Sequence, residues 1–229
     1  MSDWTPPCAR RYGPLVGRRE ATALAGSLVI TALCGAKTRA EAREIRILAL
    51  GDSLTAGYGL ARSDGFVAQL ERALRARGIP ARVLDGGVSG DTTAGGRARL
   101  EWALADRPDV AIVALGGNDG LRGIDPAATY ANLDAILKRL RERNIPVLLA
   151  GMLAPPNLGA EYGEAFRQAY ARLSRDHDVL FYPFFLDGVA ADPALNQPDG
   201  IHPNARGVAV IVERILPLVE ALVARAGRG

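Results

Sequence analysis

Ile45-Arg46-Ile47-Leu48-Ala49-Leu50-Gly51-Asp52-Ser53-Leu54 opens as a short aliphatic run, broken by one arginine, and then passes directly into a glycine, an acid and a serine. A run of this length with apolar residues on both faces reads as a strand buried on both sides, and the Gly-Asp-Ser that ends it reads as a strand-to-helix turn. The same grammar recurs along the chain. Candidate strands cover 45–50, 81–84, 109–115, 146–152 and 179–185, and they alternate with helix-period segments at 66–77, 92–105, 126–143, 161–177 and 203–226. Strand then helix, five times over, predicts an α/β fold with a parallel sheet wrapped by helices on both faces. Pro126 and Pro203 sit where a first helical turn tolerates proline, whereas Pro217 falls inside the last segment and is expected to kink or split it. Trp102 is expected to pack its helix against the sheet. With no repeat and no composition shift after residue 44, the body reads as one domain.

In a sheet of this kind ligands bind in the crevice beyond the carboxyl ends of the strands, so what each strand delivers there matters most. The first delivers Ser53 in a turn whose amides can face an anion. The second ends in Gly86-Gly87-Val88-Ser89-Gly90-Asp91-Thr92-Thr93, where Gly90 can bring a bare backbone N–H close to a substrate. The third ends in Gly116-Gly117-Asn118-Asp119 and offers the Asn118 amide as a neutral donor. The fifth is followed by Asp199-Gly200-Ile201-His202-Pro203, which sets a carboxylate and an imidazole three positions apart in one short loop. Together these supply the parts of a serine esterase: Ser53 as nucleophile, His202 as base, Asp199 as the acid that orients the imidazole, and Ser53 N–H, Gly90 N–H and the Asn118 side chain as oxyanion donors.

Each residue also has a plainer reading. Ser53 taken alone is a turn or cap serine, and only the four ordered blocks lift it to a nucleophile. Ser89 is a rival, but its surroundings lack the final glycine of GxSxG. His177 closes a helix, where an imidazole meets the C-terminal dipole. Asp52 is read as bonding amides beneath the serine and Asp91 as capping the following helix. Arg72, Arg75 and Arg77 form a solvated helix face beside Glu71. Neither GxGxxG nor GxxxxGK[ST] follows any strand, which weighs against a dinucleotide or nucleotide site.

At this point the chain resembles the SGNH, or GDSL, hydrolases, and within them the exported bacterial arylesterases and the acyl-CoA thioesterase I/lysophospholipase L1 group. The resemblance is carried by Gly51-Asp52-Ser53-Leu54-Thr55-Ala56-Gly57-Tyr58, Ser89-Gly90-Asp91-Thr92, Gly116-Gly117-Asn118-Asp119-Gly120-Leu121-Arg122-Gly123 and Asp199-Gly200-Ile201-His202-Pro203-Asn204, and spans about residues 45–220. It implies Ser53, Gly90, Asn118 and His202 as the four named residues, with Asp199 completing the triad. It also implies a three-layer α/β/α sandwich with a flavodoxin-like sheet of order 2-1-3-4-5, and a mechanism with neither cofactor nor metal. The loop 153–159, with Pro156 and Asn157, corresponds to a substrate-contacting loop. The implied substrates are small esters, acyl thioesters or lysophospholipids. A carbohydrate acetylesterase with the same triad is a second reading, against which an apolar lining from Met152, Leu153 and Leu158 leans; a noncatalytic ligand binder is a third.

Composition sets the outer limits. The chain has 229 residues, 48% of them hydrophobic and 23% charged, so it can bury a substantial core. Residues 1–44 hold seven Lys and Arg against four Asp and Glu, and the remainder holds equal numbers of each sign. A neutral body argues against a nucleic-acid partner, whose binding draws on clustered cations. Both cysteines, Cys8 and Cys34, lie in the same first segment, so the body has no disulfide, thiolate metal site or cysteine nucleophile. Arg10, Arg11, Arg18 and Arg19 precede the uncharged stretch 21–36, which has the layout of a secretory signal. That stretch is shorter than the roughly 20 apolar residues a permanent span needs. We therefore expect a leader at 1–42, a hydrolase domain at 43–229 and a periplasmic or secreted protein with no stable membrane span, with a membrane-anchored form as the alternative; the sequence does not reveal the oligomeric state, a monomer being favoured.

Overall fold

The computed structural model describes residues 43–226, so the expected leader, with both cysteines, lies outside the described residues. Strand β1 (Ile45–Gly51) leads into a single helical turn, α1 (Ser53–Ala56), and then α2 (Phe66–Ala76) and β2 (Ala81–Gly87). There follow α3 (Thr93–Ala98), α4 (Leu100–Ala103), β3 (Val110–Ala114), α5 (Gly117–Leu121) and α6 (Pro126–Glu142). The chain continues through β4 (Val147–Ala150), α7 (Ala160–Asp176), β5 (Leu180–Tyr182) and α8 (Ala205–Val223).

The five strands pair only in parallel, in the order β2-β1-β3-β4-β5, as expected for a flavodoxin-like sandwich. β1 is held on both sides, with Ile47 opposite Val83 in β2 and Val110 in β3. Because parallel strands need crossovers, every loop at the carboxyl edge is followed by a return helix, and five such loops converge there. α2 and α8 pack together on one side, while α6 packs with α3 and α7. Ile47, Leu50, Ile112, Val113, Leu148 and Leu149 are fully buried, each removing an aliphatic side chain from water on both sheet faces. By transfer energies each contributes roughly 1.5–3 kcal/mol. Among the described residues no helix is long and apolar enough to cross a membrane.

The structure departs from the sequence reading in several places. The segment expected as one helix over 92–105 is two helices and a 3-10 turn, with the break at Arg99 (φ −101°, ψ 6°). The break decides which face of the segment is buried: Leu100, Ala103 and Leu104 point inward and Trp102 is 72% exposed, not packed on the sheet. Asp91 does not cap the following helix; Thr92 does, its side chain accepting from Gly95 N, and the Asp91 carboxylate turns to Arg99 instead. Pro203 stands before the last helix, not in its first turn. Asn204 is the cap, accepting from the amides of Arg206 at 3.0 Å and Gly207 at 3.1 Å, so two otherwise orphaned donors fix the start at Ala205. Pro217 does not split α8, which remains one helix with its apolar stripe buried on either side of the proline. β5 is only three residues long, because it is an edge strand and Pro183 has no N–H for the ladder.

Candidate active site

Gly51 ends β1 so close to Thr55 and to the Ala114 carbonyl that a side chain there would collide with them, and the chain turns at once into α1. Asp52 is the cap of α1; its Oδ1 accepts from Leu54 N at 3.0 Å, which fixes Ser53 as the first helical residue. Ser53 is 8% exposed, with its hydroxyl at the cleft floor. On the opposite loop, Asp199 Oδ1 accepts from the backbone amides of Ile201 and His202, both at 3.0 Å, and its Oδ2 lies 2.7 Å from His202 Nδ1. The hydrogen bond from the imidazole, helped by the two amides, holds the Asp199 carboxyl down at about 2. An ionised carboxylate only accepts, so Nδ1 carries the proton and Nε2 presents its lone pair to the Ser53 hydroxyl, 3.0 Å away. The order of donors therefore runs from serine to imidazole to carboxylate.

The loop that carries this imidazole is clasped from both ends. Gln197 N donates to the His202 carbonyl at 2.7 Å, and Gln197 Nε2 donates to the carbonyls of Tyr58 at 2.7 Å and Pro203 at 3.0 Å. The Tyr58 ring lies 4.6 Å from the His202 ring, centroid to centroid, tilted by 37°. Neither Gln197 nor Tyr58 was singled out from the sequence. Tyr58 closes the first motif block, but nothing in one sequence says that its ring meets an imidazole 144 residues away.

Gly90 adopts φ +81°, a backbone state in which a side chain is strained, and its N–H has no acceptor among the described residues. Asn118 Nδ2 donates to the Asp91 carbonyl at 2.9 Å and to Asp52 Oδ2 at 3.3 Å. Asp52 is itself buried, and burial is the largest influence on its carboxyl, pushing it up to about 6. Asp119, next to Asn118, is buried and accepts from Thr93 N at 2.9 Å, from the Thr93 hydroxyl and from the Thr129 hydroxyl at 3.2 Å, tying α5 to α3 and α6.

Ser53, Gly90, Asn118 and His202 face one cleft of about 580 Å³, whose walls are mainly apolar, among them Tyr58, Leu121, Met152, Leu153, Pro156, Phe184 and Ile201. Of the residues expected from the loop after the fourth strand, Pro156 is in that wall while Asn157 and Leu158 are outside it. Ser89 lines the cleft but makes no hydrogen bond to an imidazole among the described residues. His177 lies elsewhere, capping α7 with its Nε2 2.9 Å from Asp134 of α6.

An α/β/α sandwich with a serine, an imidazole and a carboxylate in sequence, opening on an apolar cleft at the carboxyl edge of its sheet, has the architecture of a serine hydrolase. Residues 49–210 match the GDSL-like lipase/acylhydrolase family, and the chain belongs to it. It is 40% identical over 178 residues to esterase TesA of Pseudomonas aeruginosa, covering 77% of this chain and 89% of that protein. It is 38% identical over 178 residues to thioesterase 1/protease 1/lysophospholipase L1 of Escherichia coli K12, covering 77% and 84%. Among solved structures, AlinE4, an SGNH-hydrolase family esterase, superposes with a TM-score of 0.67 at 49% identity, covering 79% of this chain and 97% of that one.

Proposed function

We propose that this protein hydrolyses small carboxylic esters, acyl thioesters or lysophospholipids through an acyl-Ser53 intermediate. The observation that carries the reading is the unbroken chain from Ser53 Oγ to His202 Nε2 at 3.0 Å and from His202 Nδ1 to Asp199 at 2.7 Å, set in a cleft with apolar walls. In the first half-reaction Ser53 Oγ bonds to the substrate carbonyl carbon and its proton passes to His202 Nε2. The carbonyl oxygen becomes an oxyanion that accepts from Ser53 N–H, Gly90 N–H and Asn118 Nδ2, each donor being worth about 3 kcal/mol in reactions of this kind. For Asn118 this means giving up the 3.3 Å contact with Asp52, the longer of its two. The tetrahedral species collapses, and the alcohol or thiol leaves with the proton from His202. Water then repeats the sequence on the acyl-enzyme and regenerates Ser53. Asp199, held ionised, keeps the imidazole in the productive tautomer and stabilises the imidazolium.

The apolar wall favours an acyl chain over a sugar, and the names of the relatives, esterase, thioesterase and lysophospholipase, agree with this substrate range. A fluorophosphonate should label Ser53 in a His202-dependent manner, and p-nitrophenyl esters of increasing chain length should be turned over. Equal labelling of the Ser53→Ala protein would disprove the nucleophile. The basic residues ahead of the uncharged stretch 21–36 support export of a domain that begins near residue 43, and N-terminal sequencing of exported material would test that boundary.

A further inference from the structure

Three groups on different elements must hold one geometry if the cleft is to receive an oxyanion: the Ser53 amide after β1, the Gly90 amide after β2 and the Asn118 side chain in α5. One guanidinium touches the framework of all three. Arg99 Nε donates to Asp91 Oδ2 at 2.6 Å, and Arg99 Nη2 donates to the Gly51 carbonyl at 2.8 Å, two residues before Ser53. Asp91 in turn follows Gly90 directly, and its carbonyl is the 2.9 Å acceptor for Asn118 Nδ2. The Gly51 carbonyl also accepts from Val88 N at 3.1 Å, so the end of β1 and the loop 88–91 are joined twice.

We propose that the Asp91–Arg99 ion pair positions the oxyanion donors, a role that rests on the reading of this cleft as an acyl hydrolase. Stability is a poor account of the pair. Both side chains are largely withdrawn from water, at 17% and 16% exposure, and Arg99 Nη1 is buried with no hydrogen-bond partner among the described residues. A desolvated pair with an unmet donor returns little folding energy, but it fixes direction. The surroundings are shaped to admit it. A Cβ at Gly95 would lie 1.9 Å from Asp91 Oδ1, so only glycine leaves the carboxylate where Arg99 meets it. The break between α3 and α4 falls at Arg99 itself, the residue whose guanidinium reaches back to the sheet. Lysine cannot replace it fully, because one ammonium on a flexible stem does not present a planar fork to two acceptors.

Steady-state hydrolysis of p-nitrophenyl butyrate by Arg99→Met, Arg99→Lys and Gly95→Ala, each in the parent and in an Asn118→Ala background, tests this. Misplacing donors acts on the transition state, so kcat should fall about 100-fold in Arg99→Met and Gly95→Ala with KM within about twofold, and roughly 10-fold in Arg99→Lys. Once Asn118 is gone, the further loss from Arg99→Met should shrink to under about fivefold, because the two changes share a target. Equal fold-losses in both backgrounds, a loss confined to KM, or a kcat within about twofold of the parent would overturn the positioning role. If Arg99→Met does not fold, Gly95→Ala decides: it alters neither partner and suits a helix better than glycine, so a purely structural pair predicts no loss of kcat. A parent protein without Ser53-dependent turnover would refute the hydrolase reading itself, whereas an active parent with an unaffected Arg99→Met would refute only the pair.

Discussion

Asp52 and Asp199 both act electrostatically on His202, yet their surroundings drive them in opposite directions. Asp52 is buried under the serine turn, and desolvation raises it to about 6; Asp199 sits in an open loop, where three hydrogen bonds to its charged form lower it to about 2. The consequences for stability have opposite signs. Asp52 is raised above its unfolded value, so its favourable contribution is complete below about pH 4 and is lost as the pH climbs through 6. At neutral pH the buried charge costs about 3 kcal/mol, from roughly two units at 1.36 kcal/mol each. Urea unfolding should therefore show Asp52→Asn gaining up to that amount on the parent between pH 4 and pH 7; parallel stability curves would remove the burial argument. Asp199 is depressed, so its contribution is present above about pH 4 and disappears as the pH falls toward 2. Ser53, Gly90, Asn118, Asp199 and His202 were all legible as residues, because each belongs to a short motif, the first three just beyond the ends of β1, β2 and β3 and the last two in the loop before α8. Arg99, Tyr58 and Gln197 were not, since each acts in part through a partner remote in the chain: the Gly51 carbonyl for Arg99, the His202 ring for Tyr58 and the Tyr58 carbonyl for Gln197.

Helices show where local signals suffice and where they conflict. The start of α6 obeys its signals: Asp125 caps it, accepting from Ala127 N at 2.8 Å, and Pro126 occupies the first turn. At α8 two signals compete, proline at 203 and asparagine at 204, and the asparagine wins because its side chain satisfies two amides where proline merely lacks one. Asn204 Nδ2 also donates to the carbonyls of Ala194 at 3.0 Å and Asn196 at 3.2 Å, binding the loop ahead of Asp199 to the helix. Asn204→Ala should consequently lower stability by about 1–2 kcal/mol. In a thermal melt that is a fall of roughly 3–6 °C in Tm, and an unchanged melt would show that the cap is dispensable. The Trp102 expectation failed for a reason visible in retrospect. Leu100, Ala103 and Leu104 form the buried stripe of helical spacing, and position 102 lies off it.

Across the described residues, one core supports a cleft assembled from five separate loops. The fully buried strand residues of β1, β3 and β4 form a single hydrophobic cluster with the inner faces of the helices. Loss of packing in that cluster away from Met152, which also lines the cleft, should weaken the whole domain without reshaping the cleft. Leu149→Ala, in the middle of β4, is expected to cost about 2–5 kcal/mol. It should keep a single unfolding transition and parental ester hydrolysis well below that transition; a separate low-temperature transition would show that the β4 side unfolds independently.

The amino-acid order alone determined the α/β class, the five strand-helix units and the identity of the residues at the strand ends, because hydrophobic period and turn chemistry are local properties. Tertiary structure decided the rest: which residues reach across the cleft, how Arg99 ties Asp91 to the Gly51 carbonyl, and where Tyr58 and Gln197 meet the loop that carries His202. Each of these depends on the energy of groups brought together from distant positions, and that energy exists only once the sheet has set their distances.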